Sequence, residues 1–187
     1  MRVFIGLKLP DEVTTVIQRI QEKLAGHRFK VRWVKAESIH LTLKFLGDVD
    51  GHLIDDVAAS VTDAVDGMPP FQLYAKGIGV FPSIKRARVI WLGISGQVPA
   101  LTELQKTIEI NLARLGFPHD RRPFSGHLTL GRTKDAIDAV TLRKAIDEFR
   151  TFESESFIVE KVTVFRSEVK PTGAVYTELR EISLVSN

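Results

Sequence analysis

The tetrapeptide His-Leu-Thr-Leu occurs twice in this chain, at residues 40–43 and again at residues 127–130. The chain has only five histidines, so two of them stand in identical surroundings. Histidine, with an ordinary pKa near 6.5, can give or accept a proton close to neutral pH. Threonine supplies a hydroxyl that can hold a phosphate oxygen. The repeated motif therefore predicts acid–base chemistry at a phosphate group.

The first copy has the composition of a β-strand, in which alternate side chains point to opposite faces. On that pattern His40, Thr42 and Lys44 share the face that does chemistry. The two leucines of the motif and Phe45 occupy the other face, which suits a core. An imidazole and a hydroxyl then stand side by side, roughly 7 Å apart along the strand, a spacing that can bracket a phosphate.

The second copy predicts the same arrangement. His127 and Thr129 share a face with Gly131, which we expect to leave that surface open to a ligand. If the two copies face each other across a cleft, one histidine can remove a proton from a nucleophile while the other protonates the leaving oxygen. The pattern is symmetric, so it does not say which histidine does which.

Other readings of the motif are weaker. A single His-x-Thr on a strand is commonly structural, because threonine favours strands, but two identical copies favour chemistry. A metal site is disfavoured, since two histidines without an adjacent carboxylate are a poor ligand set. Ser125, close to His127, could suggest a nucleophile, yet no Gly-x-Ser-x-Gly elbow surrounds it.

Composition limits the class of protein. The chain has 187 residues, of which 44% are hydrophobic and 26% charged, as in a globular domain. It has no cysteine, which excludes disulfides, thiolate metal sites and a cysteine nucleophile, and we expect a cytoplasmic protein. No apolar run approaches the roughly 20 residues that cross a membrane. Basic clusters lie before both motifs, which favours an anionic ligand such as phosphate.

The elements that must position the motifs follow from hydrophobic period and turn residues. Helices are predicted at residues 11–25, 53–65, 99–115 and 141–149. Strands are predicted at residues 2–9, 31–34, 39–46, 71–81, 87–94, 127–131, 157–165 and 175–184, the last two joined by a turn at 171–173. Strand, helix, strand, turn and strand follow in the same order from each motif, which indicates an internal duplication. We therefore predict an α+β fold of two pseudo-symmetric lobes of antiparallel sheet backed by helices, with one motif from each lobe in a central cleft.

Longer segments around the motifs carry a family resemblance. The segments RVFIGLKLP, RWVKAESIHLTLKFLGDV, GHLTLGR and FRSEVKPTGAVYTEL are similar to those of the 2H phosphoesterases, a superfamily with two His-x-Thr/Ser motifs on pseudo-twofold lobes. The chain most resembles the RNA 2′,3′-cyclic phosphodiesterases, also called 2′-5′ RNA ligases. One departure is Gly126, which stands where many relatives have proline before the second histidine. The resemblance implies one bilobal domain over residues 1–187.

By this resemblance, the two histidines are the catalytic pair. His40 is expected to protonate the departing 3′ oxygen as general acid, and His127 to activate water as general base. Thr42 and Thr129 are expected to hold the phosphate.

Two arginines and an aromatic residue match the family less directly. Arg132, which follows the second motif, is expected to contact the phosphate, although strand alternation places it on the leucine side unless the strand bends. Arg122 matches a position that is often basic in the family and is a further candidate for phosphate binding. Phe45 matches a residue that stacks on a base, although its position in the alternation favours the core.

The substrate implied by the resemblance is an RNA end that carries a 2′,3′-cyclic phosphate. Its hydrolysis needs an activated water and a protonated leaving oxygen, and it excludes DNA because the 2′ oxygen is part of the ring. No nucleotide-cofactor motif is present, and we expect no metal, no cofactor, no membrane partner and a monomer. The open alternatives are 2′-5′ ligation or another 2′-linked nucleotide at the same site, and an RNA-end binding module without activity.

Overall fold

The computed structural model describes residues 1–171 and 173–184. These residues form four α-helices and a sheet of nine antiparallel strands. The helices are α1 (Asp11–Ala25), α2 (Ile54–Val65), α3 (Val98–Arg114) and α4 (Ala139–Asp147). The strands are β1 (Arg2–Lys8), β2 (Val31–Trp33), β3 (His40–Asp48), β4 (Phe71–Phe81), β5 (Val89–Gly96), β6 (His127–Thr133), β7 (Phe157–Val159), β8 (Lys161–Lys170) and β9 (Gly173–Ser183).

The sheet has two halves that meet at the strands carrying the motifs. Its order is β7-β4-β5-β6-β3-β1-β8-β9, with the short β2 added beside β6. At the junction, β3 and β6 are joined by one residue pair, Leu41 opposite Leu128. Each half thus ends at the junction with one copy of the motif. The predicted α+β fold with two antiparallel halves is confirmed.

The duplication is visible in the order of elements. The unit β1-α1-β3-α2-β4 is followed by the unit β5-α3-β6-α4-β8. The last strand of each unit pairs with the first strand of the other, β4 with β5 and β8 with β1. The repeat therefore begins one strand and one helix before each motif, and the two units exchange strands to build the two halves.

The helices share one core with the apolar face of the sheet. α1 buries one residue per turn from Val13 to Leu24, at the spacing predicted for an amphipathic helix. α2 and α3 pack against each other and bury Val57, Val61 and Leu104 completely. Because this face of the sheet is covered, the histidine–threonine face is the one left available for a ligand.

A β-bulge in β3 alters the predicted faces. In the register with β1, Gly6 lies opposite Thr42 and Ile5 opposite Lys44, so one residue of β3 is unpaired. Such an extra residue inverts the alternation beyond it. Lys44 is consequently only 1% exposed, whereas Phe45 is 65% exposed. The prediction that Lys44 shares the face of the motif, with Phe45 in the core, is wrong.

An equivalent bulge lies in β6. In the register with β5, Trp91 lies opposite Thr129 and Ile90 opposite Gly131, so one residue is again unpaired. Gly131 is buried and Arg132 is exposed. The expectation that Gly131 keeps the ligand face open is wrong, and Arg132 leaves the leucine side as the family match requires.

The strand predicted at residues 157–165 is two strands in different halves of the sheet. β7 pairs with β4, and β8 pairs with β1. The core positions reveal the break, because Val159 and Val162 are both buried although they are three residues apart. An uninterrupted strand would bury every second residue. The predicted turn at 171–173 includes Thr172, which lies outside the described residues.

Candidate active site

The two motifs lie side by side on neighbouring antiparallel strands. Since their first leucines pair with each other, His40 comes opposite Thr129, and Thr42 opposite His127. All four leucines of the motifs are buried, so these four polar side chains share the opposite face. The histidines are diagonal neighbours, with Cα atoms roughly 7–8 Å apart by the geometry of such a ladder. The structure therefore brings together the four residues that the sequence predicts.

Both imidazoles are held in the same way. Nδ1 of His40 lies 2.9 Å from the carbonyl oxygen of Ser38, and Nδ1 of His127 lies 2.7 Å from that of Ser125. A carbonyl oxygen can only accept, so each Nδ1 carries the proton and donates it. Each Nε2 is then the atom available for proton transfer. It accepts a proton in the neutral ring and donates one in the imidazolium.

Three aromatic rings enclose His40. Phe4 stacks on the imidazole at a centroid distance of 4.4 Å, Tyr176 meets it edge-on at 4.8 Å, and Phe165 lies at 5.8 Å. Burial among these rings lowers the pKa of His40, and the hydrogen bond to Ser38 partly opposes this shift. The free protein therefore favours the neutral form of this histidine.

His127 also has aromatic neighbours, but they differ from those of His40. Phe81 meets its ring edge-on at 5.1 Å, and Trp91 lies at 6.3 Å. The indole of Trp91 lies flat on β4 where Gly79 has no side chain, since a Cβ there would be 2.2 Å from the ring. Among the described residues, nothing accepts a hydrogen bond from the buried Nε1 of Trp91. The two motifs are therefore symmetric in backbone but not in their aromatic neighbours.

The two predicted arginines lie in different places. Arg132 is exposed on the face of the motif, beyond the bulge. Burial raises the pKa of Tyr176, and the positive charge of Arg132 opposes that rise, so the guanidinium lies within electrostatic range of an aromatic neighbour of His40. Arg122 is exposed in the loop that precedes β6, and within residues 1–171 and 173–184 no hydrogen bond or ion pair links it to either histidine.

Comparison with known proteins identifies the family. The family model described as the 2′-5′ RNA ligase superfamily matches residues 9–171. The chain belongs to this superfamily. Proteins named RNA 2′,3′-cyclic phosphodiesterase from Thermotoga maritima and Methanothermobacter thermautotrophicus are 34% and 32% identical to it. The alignment with the Thermotoga protein covers 97% of this chain and 94% of the relative. The alignment with the Methanothermobacter protein covers 98% of this chain and 99% of the relative.

Solved structures of similar proteins have the same fold. A crystal structure of a Thermus thermophilus protein superposes with a TM-score of 0.81 at 28% identity, covering 98% of both chains. E. coli LigT complexed with 3′-AMP superposes with a TM-score of 0.75 at 26% identity, covering 98% of this chain and 97% of LigT. The similarity to these relatives and solved structures thus extends over nearly the whole chain.

In this superfamily member, a buried ion pair links the two motifs behind the ligand face. Nζ of Lys44 lies 2.9 Å from Oε1 of Glu109 on α3 and donates to the carbonyl oxygen of Pro118 at 2.8 Å. Glu109 also lies 3.2 Å from Nδ1 of His119 and accepts from the backbone N–H of Asp120 at 3.3 Å. The residue after the first motif therefore anchors the loop that leads into the second.

Sequence reasoning missed several residues around the histidines. The two serines whose carbonyl oxygens hold the imidazoles belong to a longer repeat, Ser-x-His-Leu-Thr-Leu, which begins at Ser38 and at Ser125. The aromatic neighbours Phe81 and Phe165 each follow a valine, one in each repeat, but this pattern does not indicate proximity to the histidines. Tyr176 on β9 has no such repeat, so only the fold shows that it reaches His40.

Two absences concern the described residues alone. No three histidine, aspartate or glutamate side chains among them are grouped as metal ligands. Over the same residues, no helix is both long and apolar enough to cross a membrane.

Proposed function

We propose that this protein hydrolyses the 2′,3′-cyclic phosphate at the end of RNA to a 2′-phosphomonoester, with residues 1–187 acting as one domain. The observation that carries the proposal is the pair of Nε2 atoms on neighbouring strands, each left available by an Nδ1–carbonyl bond. The relatives named RNA 2′,3′-cyclic phosphodiesterase align over almost their full length, which supports this substrate. LigT complexed with 3′-AMP supports nucleotide binding on this fold.

The proposed reaction uses four side chains, with the acid and base roles taken from the family resemblance. The hydroxyls of Thr42 and Thr129 donate to the non-bridging oxygens of the phosphate, which lies between the histidines. Nε2 of His127 accepts a proton from water as the water oxygen bonds to phosphorus. The bond to the 3′ oxygen breaks opposite, and Nε2–H of His40 protonates that oxygen. The product carries the phosphate on its 2′ oxygen.

His40 must be protonated to act as the acid, and substrate binding favours that protonated form. Burial lowers the pKa of His40, which in the free protein disfavours the protonated form that must donate. A phosphate anion beside the imidazolium favours the charged form and raises the pKa. Binding of substrate therefore takes up a proton, and the affinity increases as the pH falls toward the pKa of the free histidine. Arg132, near the same cluster, adds positive charge for the phosphate.

The first test is direct product analysis. Purified protein is incubated, with and without EDTA, with RNA that ends in a 2′,3′-cyclic phosphate. The proposal expects a 2′-phosphate product, at the same rate with and without chelator. A DNA oligonucleotide with a 3′-phosphate serves as the control and should not react, since it lacks the 2′ oxygen. A 3′-phosphate product would contradict the roles, and tight binding without any product would favour the RNA-end binding module.

The acid and base assignments have a separate test. A substrate whose leaving group needs no proton reduces the need for the acid but not for the base. The loss in His40→Ala should shrink with that substrate, while the loss in His127→Ala should persist. The opposite pattern would reverse the two roles and leave the pair itself intact.

Two further expectations are that the protein is a monomer and that it acts in the cytoplasm. Both remain predictions, and sedimentation measures the oligomeric state.

A further inference from the structure

The two halves of the sheet separate just beyond the histidines. β3 pairs with β6 only at Leu128, and further along β6 its place is taken by β2, where Val31–Trp33 pair with Gly131–Thr133. The missing side chain of Gly131 permits this approach, because a Cβ there would lie 2.6 Å from Cγ1 of Val31. The short strand β2 therefore continues the sheet beside β6, beyond the four motif side chains.

This arrangement sets two arginines against each other. Arg32 on β2 lies directly opposite Arg132 on β6. Residues that pair in this way share a face, and the bulge places Arg132 on the face of Thr129. Both arginines are exposed. Within the described part of the chain neither forms an ion pair, and the first carboxylate after β6, Asp135, is held by Lys30 at 2.9 Å.

Like charges directly across a strand pair are destabilising, and a bound anion would offset this repulsion. Guanidinium groups bind phosphate with two parallel hydrogen bonds. The pair lies two strand positions beyond Thr129, roughly 7 Å along β6 once the bulge is discounted. A phosphate held between the two guanidinium groups at this pair would therefore lie apart from the phosphate between the histidines. In an RNA end with a cyclic phosphate, the nearest other phosphate is on the 5′ oxygen of the same nucleotide.

We propose that Arg32 and Arg132 form a second phosphate subsite, which binds the phosphate on the 5′ side of the terminal nucleotide. Arg132 lies between the two phosphates, whereas Arg32 contacts only the second. The subsite makes an RNA chain end a better substrate than a nucleoside 2′,3′-cyclic phosphate. This inference rests on the proposed function and specifies its substrate class.

Three substrates separate the possible sources of the second phosphate. They are adenosine 2′,3′-cyclic phosphate, the same nucleotide with a 5′-phosphate, and a dinucleotide that ends in the same cyclic group. The wild-type protein should show kcat/KM about tenfold or more higher for the second and third than for the first, as one charge-assisted contact provides. A gain for the dinucleotide alone would mean that the neighbouring nucleoside, and not the phosphate, is recognised, and would overturn the proposal.

Arg32→Gln tests the residue. In this variant, the ratio of kcat/KM for the dinucleotide to kcat/KM for adenosine 2′,3′-cyclic phosphate should fall about tenfold, because one charged contact is lost. Arg32→Lys should retain part of the preference. Arg19→Gln is the matched control, since Arg19 is exposed on α1 and forms no ion pair within the described ranges. Removal of one of two like charges should not lower the melting temperature, so the variant tests binding and not folding. An unchanged ratio would refute the subsite.

Equilibrium binding separates this inference from the proposed function. Two ligands are titrated at several salt concentrations. One is a dinucleotide that ends in a 2′-phosphate, and the other is adenosine 2′-phosphate, which lacks the phosphate on the 5′ side. The slope of log K against log salt is negative, and in Arg32→Gln it should become less negative by about 0.7, the value for one phosphate contact to a single strand. If the wild type hydrolyses none of the cyclic substrates, the proposed function is wrong, yet this slope still tests the subsite. An unchanged slope overturns the subsite even if hydrolysis is confirmed.

Discussion

Replacement of Lys44 by methionine distinguishes two accounts of the first motif. If Lys44 shared the face of His40, as simple alternation predicts, it would contact the phosphate, and its loss would reduce kcat/KM. The structure instead buries its ammonium group against Glu109 and the carbonyl oxygen of Pro118. Lys44→Met should therefore lower the free energy of unfolding and leave the histidine pair in place.

The size of the effect follows from what remains unpaired. Removal of one partner of a buried ion pair costs about 3–5 kcal/mol. Glu109 keeps contacts to the backbone N–H of Asp120, to His119 and to Gln105, so the lower end, about 3 kcal/mol, is expected. Glu109→Gln leaves the buried ammonium with only neutral oxygen partners and no countercharge, and should cost about as much. The double variant should lose much less than the sum, because the two residues interact directly.

Urea denaturation of the two single variants and the double variant measures these values. The matched control is Lys161→Met, since the ion pair of Lys161 with Glu181 is exposed and should contribute no more than about 1 kcal/mol. Activity is measured under conditions where every variant is folded. A loss in Lys44→Met of less than about 1 kcal/mol, or a large loss of kcat/KM without a loss of stability, would refute the buried position of Lys44.

Four further predictions concern the site itself. NMR titration of the free protein should give His40 a pKa below the ordinary value near 6.5, because burial disfavours its charged form. Since the unfolded chain then binds the proton more readily, stability should decrease as the pH falls from the unfolded pKa of His40 to its folded pKa, and urea denaturation at several pH values checks this. Phe45→Ala should weaken the binding of adenine nucleotides about tenfold, the value of one stacked base, without loss of stability, because its ring is exposed near Phe4; isothermal titration calorimetry measures this, and an unchanged affinity would exclude stacking. EDTA should not reduce the rate of hydrolysis, and loss of activity that is restored by a stoichiometric metal would disprove the metal-free mechanism.

The chemistry of the site was more predictable than its geometry. The repeated His-Leu-Thr-Leu predicted the four polar residues, because strand alternation holds within each motif. Alternation failed one residue later, at Lys44 and at Gly131, because a bulge follows the threonine in both strands. A bulge depends on how the neighbouring strand pairs, and the sequence of the bulged strand alone did not reveal it.

The elements were largely predictable and their pairing was not. α1 and β4 have the bounds predicted from period and flanking residues. The exchange of strands between the repeated units could not be seen, since it depends on contacts between residues distant in sequence, such as Phe4 and Phe165. The same exchange brings Tyr176 of β9 to His40. The aromatic rings that bury His40 and shift its pKa are therefore brought there by the fold and not by the motif.

The central claim, that two histidines act as acid and base on a cyclic phosphate, is tested most directly by the single and double alanine variants of His40 and His127. Single-turnover rates are measured on RNA that ends in a 2′,3′-cyclic phosphate, with circular dichroism to verify folding. Each single variant should lose about 10²- to 10⁴-fold in rate, as expected for loss of a general acid or base. The double variant should lose far less than the product of the two losses, because the residues act as a unit. A folded single variant with near-normal turnover would contradict the account.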